Sequence, residues 1–126
     1  VLEEVEQRAA GRPYASYQYV PDIYDYSYQY LYFWRAAHGH ALPVEFSYQP
    51  GESSYVVQKP DLLRRFPASD TQPEVIFFIV ETPERQIFLE RWWGQQRFGE
   101  IEQEVRIFDD ITLYVATPPN QIPKEE

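Results

Sequence analysis

Five carboxylates, Glu81, Glu84, Glu90, Asp109 and Asp110, are the side chains of this sequence best suited by type to bond-breaking chemistry. Two of them converging on one glycosidic bond would supply the acid and base for hydrolysis or glycosyl transfer. Their settings argue otherwise. Asp109-Asp110 suits the two central positions of a tight hairpin, and carboxylates at strand ends and turns are ordinarily solvated. His38-Gly39-His40 offers two imidazoles where a metal site needs three or four ligands, and the chain has no third histidine and no cysteine. No Gly-x-Ser-x-Gly, Gly-x-Gly-x-x-Gly or Gly-Lys-Ser/Thr pattern occurs. No catalytic residue, metal or other cofactor is expected.

Binding is the stronger expectation. Ten of the twenty-one residues from Tyr14 to Trp34 are aromatic, eight of them tyrosines. A tyrosine ring adds apolar area, but its hydroxyl needs a partner or water, so a dense tyrosine stripe suits a boundary between core and solvent, ligand, partner or headgroup. Tyr24, Tyr26, Tyr28, Tyr30, Trp34 and Arg35 are the candidate contact residues. Trp93 joins them, because one ring of the Trp92-Trp93 pair belongs to the core on helical spacing and the other is left to stack on a sugar or a partner.

The balance of charge narrows the class of partner. A net charge of −9, with Arg64-Arg65 as the one tight basic group, is unsuited to nucleic acid, which selects clustered Lys and Arg. Aromatic anchoring at a membrane surface needs no such cluster. No run approaches the roughly 18 consecutive apolar residues of a spanning helix, and the absence of cysteine leaves the redox compartment unread. A start at Val1 without methionine reads as a piece of a longer polypeptide.

The elements that must position these residues follow from periodicity. Leu2, Val5 and Ala9 share a helical face that stops at Gly11-Arg12-Pro13, which predicts a helix over about residues 1–10. Residues 14–20 alternate as a strand, and 26–38 are read as a helix capped at Gly39. Residues 44–48 suggest a short strand and 60–66 one or two helical turns. Residues 74–80, apolar on both faces, predict a central buried strand. Thr82-Pro83 reads as cap and first residue of a helix running to Gly94. Residues 100–108 and 111–117 make a hairpin around Asp109-Asp110. The expected fold is α+β, with helices packed on a mostly antiparallel sheet and a closing C-terminal β-hairpin. It forms one domain over 1–117, followed by an extended Pro-rich tail over 118–126.

Several segments together carry a resemblance: Ala9-Ala10-Gly11-Arg12-Pro13-Tyr14, the run Tyr26-Ser27-Tyr28-Gln29-Tyr30-Leu31-Tyr32-Phe33-Trp34-Arg35 with His38-Gly39, the strand end Val80-Glu81-Thr82-Pro83, Arg91-Trp92-Trp93, and Arg106 to Leu113. They resemble the soluble C-terminal domain of multispanning, polyprenyl-phosphate-sugar-dependent glycosyltransferases of the protein mannosyltransferase and aminoarabinose transferase type. Where such domains close on an "FGGIT"-like strand, this chain has Phe108-Asp109-Asp110-Ile111-Thr112. The resemblance implies a non-catalytic accessory domain on the extracytoplasmic (periplasmic or extracellular) face of the membrane. Its expected partners are the transmembrane part of the same polypeptide and a glycan or polyprenyl-linked sugar. A free-standing carbohydrate- or protein-binding module is the alternative.

Overall fold

The computed structural model describes residues 1–21, 26–48, 50, 59–65, 72–83 and 85–119. Among the described residues nine elements follow one another: α1 (Leu2–Ala9), β1 (Tyr14–Tyr19), α2 (Tyr26–Ala37), β2 (Glu45–Ser47), α3 (Lys59–Arg65), β3 (Val75–Glu81), α4 (Gln86–Gly94), β4 (Ile101–Phe108) and β5 (Ile111–Ala116). The five strands form one sheet in the order β2-β1-β3-β5-β4. β1 runs parallel to both β2 and β3, whereas β5 runs antiparallel to its two neighbours, β3 and β4. The α+β class, the helices packed on the sheet and the closing hairpin agree with the sequence pattern.

Side-chain alternation divides the core between the two faces of the sheet. On one face, Tyr14, Phe77, Ile79, Leu113 and Val115 meet Leu2 and Val5 of α1 and Tyr28, Tyr32 and Phe33 of α2. On the other, Tyr17, Tyr19, Ile76, Phe78 and Val80 meet Trp92 of α4, with Leu89 and Trp93 packed around it. Every residue of β1 is buried, as is β3 up to Glu81. Strands covered on both faces need apolar or hydrogen-bonded side chains throughout. Ser16 meets that need in β1 and Gln18 meets it in part: Ser16 Oγ accepts from Tyr32 Oη at 2.6 Å and from Gln18 Nε2 at 2.5 Å, while Gln18 Oε1 is buried without a partner among the described residues.

Local chemistry explains the element ends. Ala10 ends α1 in the left-handed region (φ 53°, ψ 42°), where an L side chain is strained, and Gly11 continues at φ 82° without that strain. Arg12 stabilises this exit by donating to the helix-end carbonyls of Ala9 (2.9 Å) and Arg8 (2.9 Å). Gly39, at φ 91°, ends α2 as its sequence position suggests. Asp109 and Asp110 make the hairpin turn, and the β4–β5 register shifts between Arg106 and Phe108 to accommodate it.

The start of α4 differs from the sequence reading. Thr82 does not cap it: the helix begins at Gln86 behind an extended Arg85. The Thr82 N–H donates instead to the Asp110 carbonyl at 2.9 Å, with Thr82 Oγ1 at 3.4 Å from the same oxygen. A cross-strand bond continuing the β3–β5 ladder takes the residue that local propensity assigned to a cap. At the C-terminal end, Thr117 is tied to Glu100 and Gly99 by backbone bonds, and Pro118, the first residue of the expected tail, is buried against the domain. Residues 120–126 of that tail lie outside the described residues.

Candidate functional site

α2 decides which aromatics are available. Its inward stripe buries Tyr28, Gln29, Tyr32 and Phe33, and its outward side leaves Tyr30 44%, Leu31 46% and Trp34 59% exposed. Two of the expected contact rings, Tyr30 and Trp34, therefore stand at the surface. Tyr28 does not: it is 5% exposed, and its hydroxyl donates to Glu81 Oε2 at 2.8 Å. Its place as an exposed contact ring is corrected by helical geometry, because Tyr28 and Tyr32 lie one turn apart on the face that covers the sheet. Tyr26 opens the helix, and Tyr24 lies outside the described residues.

Arg35 is engaged within the fold. Its Nη2 donates to Glu6 Oε2 at 2.7 Å, and His40 Nδ1 lies 2.8 Å from the same oxygen, so one α1 carboxylate gathers the end of α2 and the chain beyond it. Burial by itself would raise the Glu6 carboxyl, but the hydrogen bonds and charges of Arg35 and His40 outweigh it and hold Glu6 below the ordinary carboxylate value. A carboxyl lowered in the folded state adds stability that is present above the unfolded-state pKa and lost as pH falls through the folded-state pKa. The domain is expected to weaken in acid across that window, and Glu6→Gln to remove part of the loss. Denaturation midpoints measured against pH check this; parallel curves for Glu6→Gln and wild type in acid would discard the assignment.

Trp93 is not brought to the α2 surface. It is half-buried on the opposite face of the sheet, against Phe78 (5.0 Å between ring centroids), Tyr114 (5.1 Å, perpendicular) and Phe98 (6.0 Å). Its expected free stacking face is thus shared with three other rings, which continue the core outward from Trp92. The two histidines diverge: His38 stacks on Trp34 with centroids 4.0 Å apart and its Nδ1 lies 2.7 Å from the Trp34 carbonyl, whereas His40 turns to Glu6. Among the described residues no group of three or more His, Cys, Asp or Glu is arranged to hold a metal ion. Nor do the expected carboxylates pair. Glu81 is bound to Tyr28, Asp109 and Asp110 form the turn, Glu90 is exposed on α4, and Glu84 lies outside the described residues.

Among the described residues, two clefts beside α1 are candidates for a binding site. The larger, about 540 Å³, includes Glu6, Arg12, Tyr14 and His40 in its walls. Its charged groups are already engaged: Arg12 on the α1 carbonyls, and Glu6 with Arg35 and His40. The second, about 400 Å³, lies where the N-terminal end of α1 and the side of α2 from Ser27 to Arg35 meet the end of β3. Ser27, Leu31 and Trp34 line it from successive turns of α2, with Tyr28 and Glu81 beside them and Glu3 across from α1. It alone of the two joins an exposed indole to a carboxylate with hydrogen-bonding capacity to spare. Sequence inspection singled out Trp34 and Tyr28 but missed Ser27 and Glu3 as partners, and placed Glu81 among catalytic candidates. No periodicity links residues 28 and 81.

The chain has no match among protein-family models, curated proteins or solved structures. Among the described residues no helix is long and apolar enough to cross a membrane.

Proposed function

We propose that this chain is a non-catalytic accessory domain of a membrane glycosyltransferase, held on the extracytoplasmic face and contacting the membrane-spanning part of the same polypeptide, the acceptor or a polyprenyl-linked sugar through the outward side of α2. One observation carries the reading: Tyr30, Leu31 and Trp34 are adjacent and exposed on a helix that buries Tyr28, Tyr32 and Phe33. Large apolar side chains gathered at a surface mark a contact site, and amphipathic aromatics suit a wet boundary beside sugar or headgroup. The motif resemblance of the α2 segment supplies the class of parent enzyme. A free-standing carbohydrate-binding module is the second reading, favoured by the cleft beside Trp34.

The coding sequence upstream of Val1 separates the two. Multiple hydrophobic spans there support the accessory domain, and a spanless upstream region overturns it in favour of the module. In the intact transferase, Tyr30→Ala and Trp34→Ala together are expected to lower sugar transfer several-fold while changing the unfolding free energy of this domain by less than about 1 kcal/mol, the usual cost of two surface substitutions. Unchanged transfer by a stably folded double variant would remove this surface from the enzyme's function.

A further inference from the structure

We infer that the cleft between α1, α2 and the end of β3 binds a single pyranose ring, neutral or amino-bearing, with Trp34 as its stacking wall and Glu81 as its hydroxyl acceptor. The inference rests on reading the α2 surface as a sugar contact, but it concerns this chain alone and stands whether or not membrane spans precede it.

A pyranose presents two chemistries at once: an apolar face of C–H groups and an equatorial rim of hydroxyls. Trp34 meets the first. His38 stacks against one side of the indole at 4.0 Å and 29°, yet the residue remains 59% exposed, so its other side is open. Side chains on a helix lean toward its N-terminus, which sets Trp34 over the turn that carries Leu31, with Ser27 one turn further on. Glu81 meets the second chemistry. The Tyr28 hydroxyl holds one carboxylate oxygen at 2.8 Å and so fixes the group's orientation. A carboxylate has about four acceptor positions, leaving most of them for sugar hydroxyls, and the Ser27 hydroxyl adds a group that both donates and accepts. At about 400 Å³ the cleft falls within the range of small-ligand sites.

Charge selects among sugars. Two carboxylates, Glu3 and Glu81, line the cleft; against them stand the Val1 amino group of the 126-residue chain and Arg35, which is already matched by Glu6 at 2.7 Å, so among the described residues negative charge is in excess. The local field is negative, in a chain of net charge −9. A phosphate or carboxylate on the sugar is repelled, whereas an ammonium group is attracted. The pyrophosphate or phosphate end of a lipid-linked sugar is thus excluded from this cleft, and the site accepts the sugar ring.

The test is a titration of the 126-residue chain with a neutral methyl pyranoside, an amino-bearing methyl pyranoside and a pyranose 1-phosphate. It is followed by saturation-transfer NMR and by the Trp34 indole and Ser27 amide signals. The neutral and amino sugars are expected to bind at millimolar concentration and to shift both signals, with the phosphate at least several-fold weaker. Trp34→Ala and Glu81→Gln should each weaken binding about tenfold, the scale of one stacking contact or one charged hydrogen bond. Ile87→Ser, on the exposed side of α4, should leave it unchanged. Failure of folded wild type to take up either sugar overturns the inference. So does affinity unaltered in both Trp34→Ala and Glu81→Gln, or a phosphate that binds as tightly as the neutral sugar. A spanless upstream sequence would sink the accessory-domain reading and leave these outcomes untouched.

Discussion

Trp92→Ala is expected to remove about 3–5 kcal/mol of folding stability, a large part of the roughly 5–15 kcal/mol that holds a domain together. Trp92 is fully buried and is the residue through which α4 covers its face of the sheet. Its ring meets Phe78 edge-on at 5.6 Å and Tyr19 at 5.8 Å, and its indole N–H donates to the Tyr48 carbonyl at 2.7 Å. Truncation would open a cavity among rings that cannot close over it, because Tyr19 and Phe78 are fixed on strands. The Tyr48 carbonyl keeps a second donor, Gln96 Nε2 at 3.2 Å, so the loss is mainly of packing and only partly of hydrogen bonding. Trp92→Phe should therefore recover much of the stability. Chemical denaturation of the two variants measures this, and a cost below about 1 kcal/mol for Trp92→Ala would mean that α4 does not seal the core.

Ile79→Ala should cost about 2–5 kcal/mol by a different route. Ile79 lies in the middle of β3, flanked in register by Gln18 of β1 and Leu113 of β5, and none of its surface reaches solvent. Both neighbouring strands are held by backbone ladders, so the space left by the lost carbons stays largely empty, and the penalty grows with the volume left unfilled. An unchanged denaturation midpoint would show that β3 is not the centre of the fold. The comparison with Trp34→Ala sharpens the result: deletion of a larger but exposed ring should cost far less than deletion of three buried carbons.

The sequence was most legible where structure is local. Leu2, Val5 and Ala9 define the inner face of α1, the unbroken apolar run marks β3, and two alternating segments around Asp109-Asp110 mark the hairpin, because periods of 3.6 and 2 are imposed by backbone geometry. Residues 24–30 show the limit. Tyrosines at every second position match a strand, yet those from Tyr26 onward form α2, in which the same spacing sends Tyr28 inward and Tyr30 outward.

By itself, then, the sequence determined an α+β chain with a central apolar strand, a C-terminal hairpin, an acidic surface and a surplus of aromatics near one helix, since each depends on neighbours in the chain. Only the tertiary structure decided which tyrosines are core, that β1 pairs in parallel with β2 and β3, that Thr82 continues a ladder, and that Trp93 stands away from Trp34. It also joined Tyr28 to Glu81 across 53 residues and Glu6 to His40 across 34. Those pairings depend on where the sheet lies under each helix. That placement is set by the summed burial of both faces, a quantity that no local window of sequence contains.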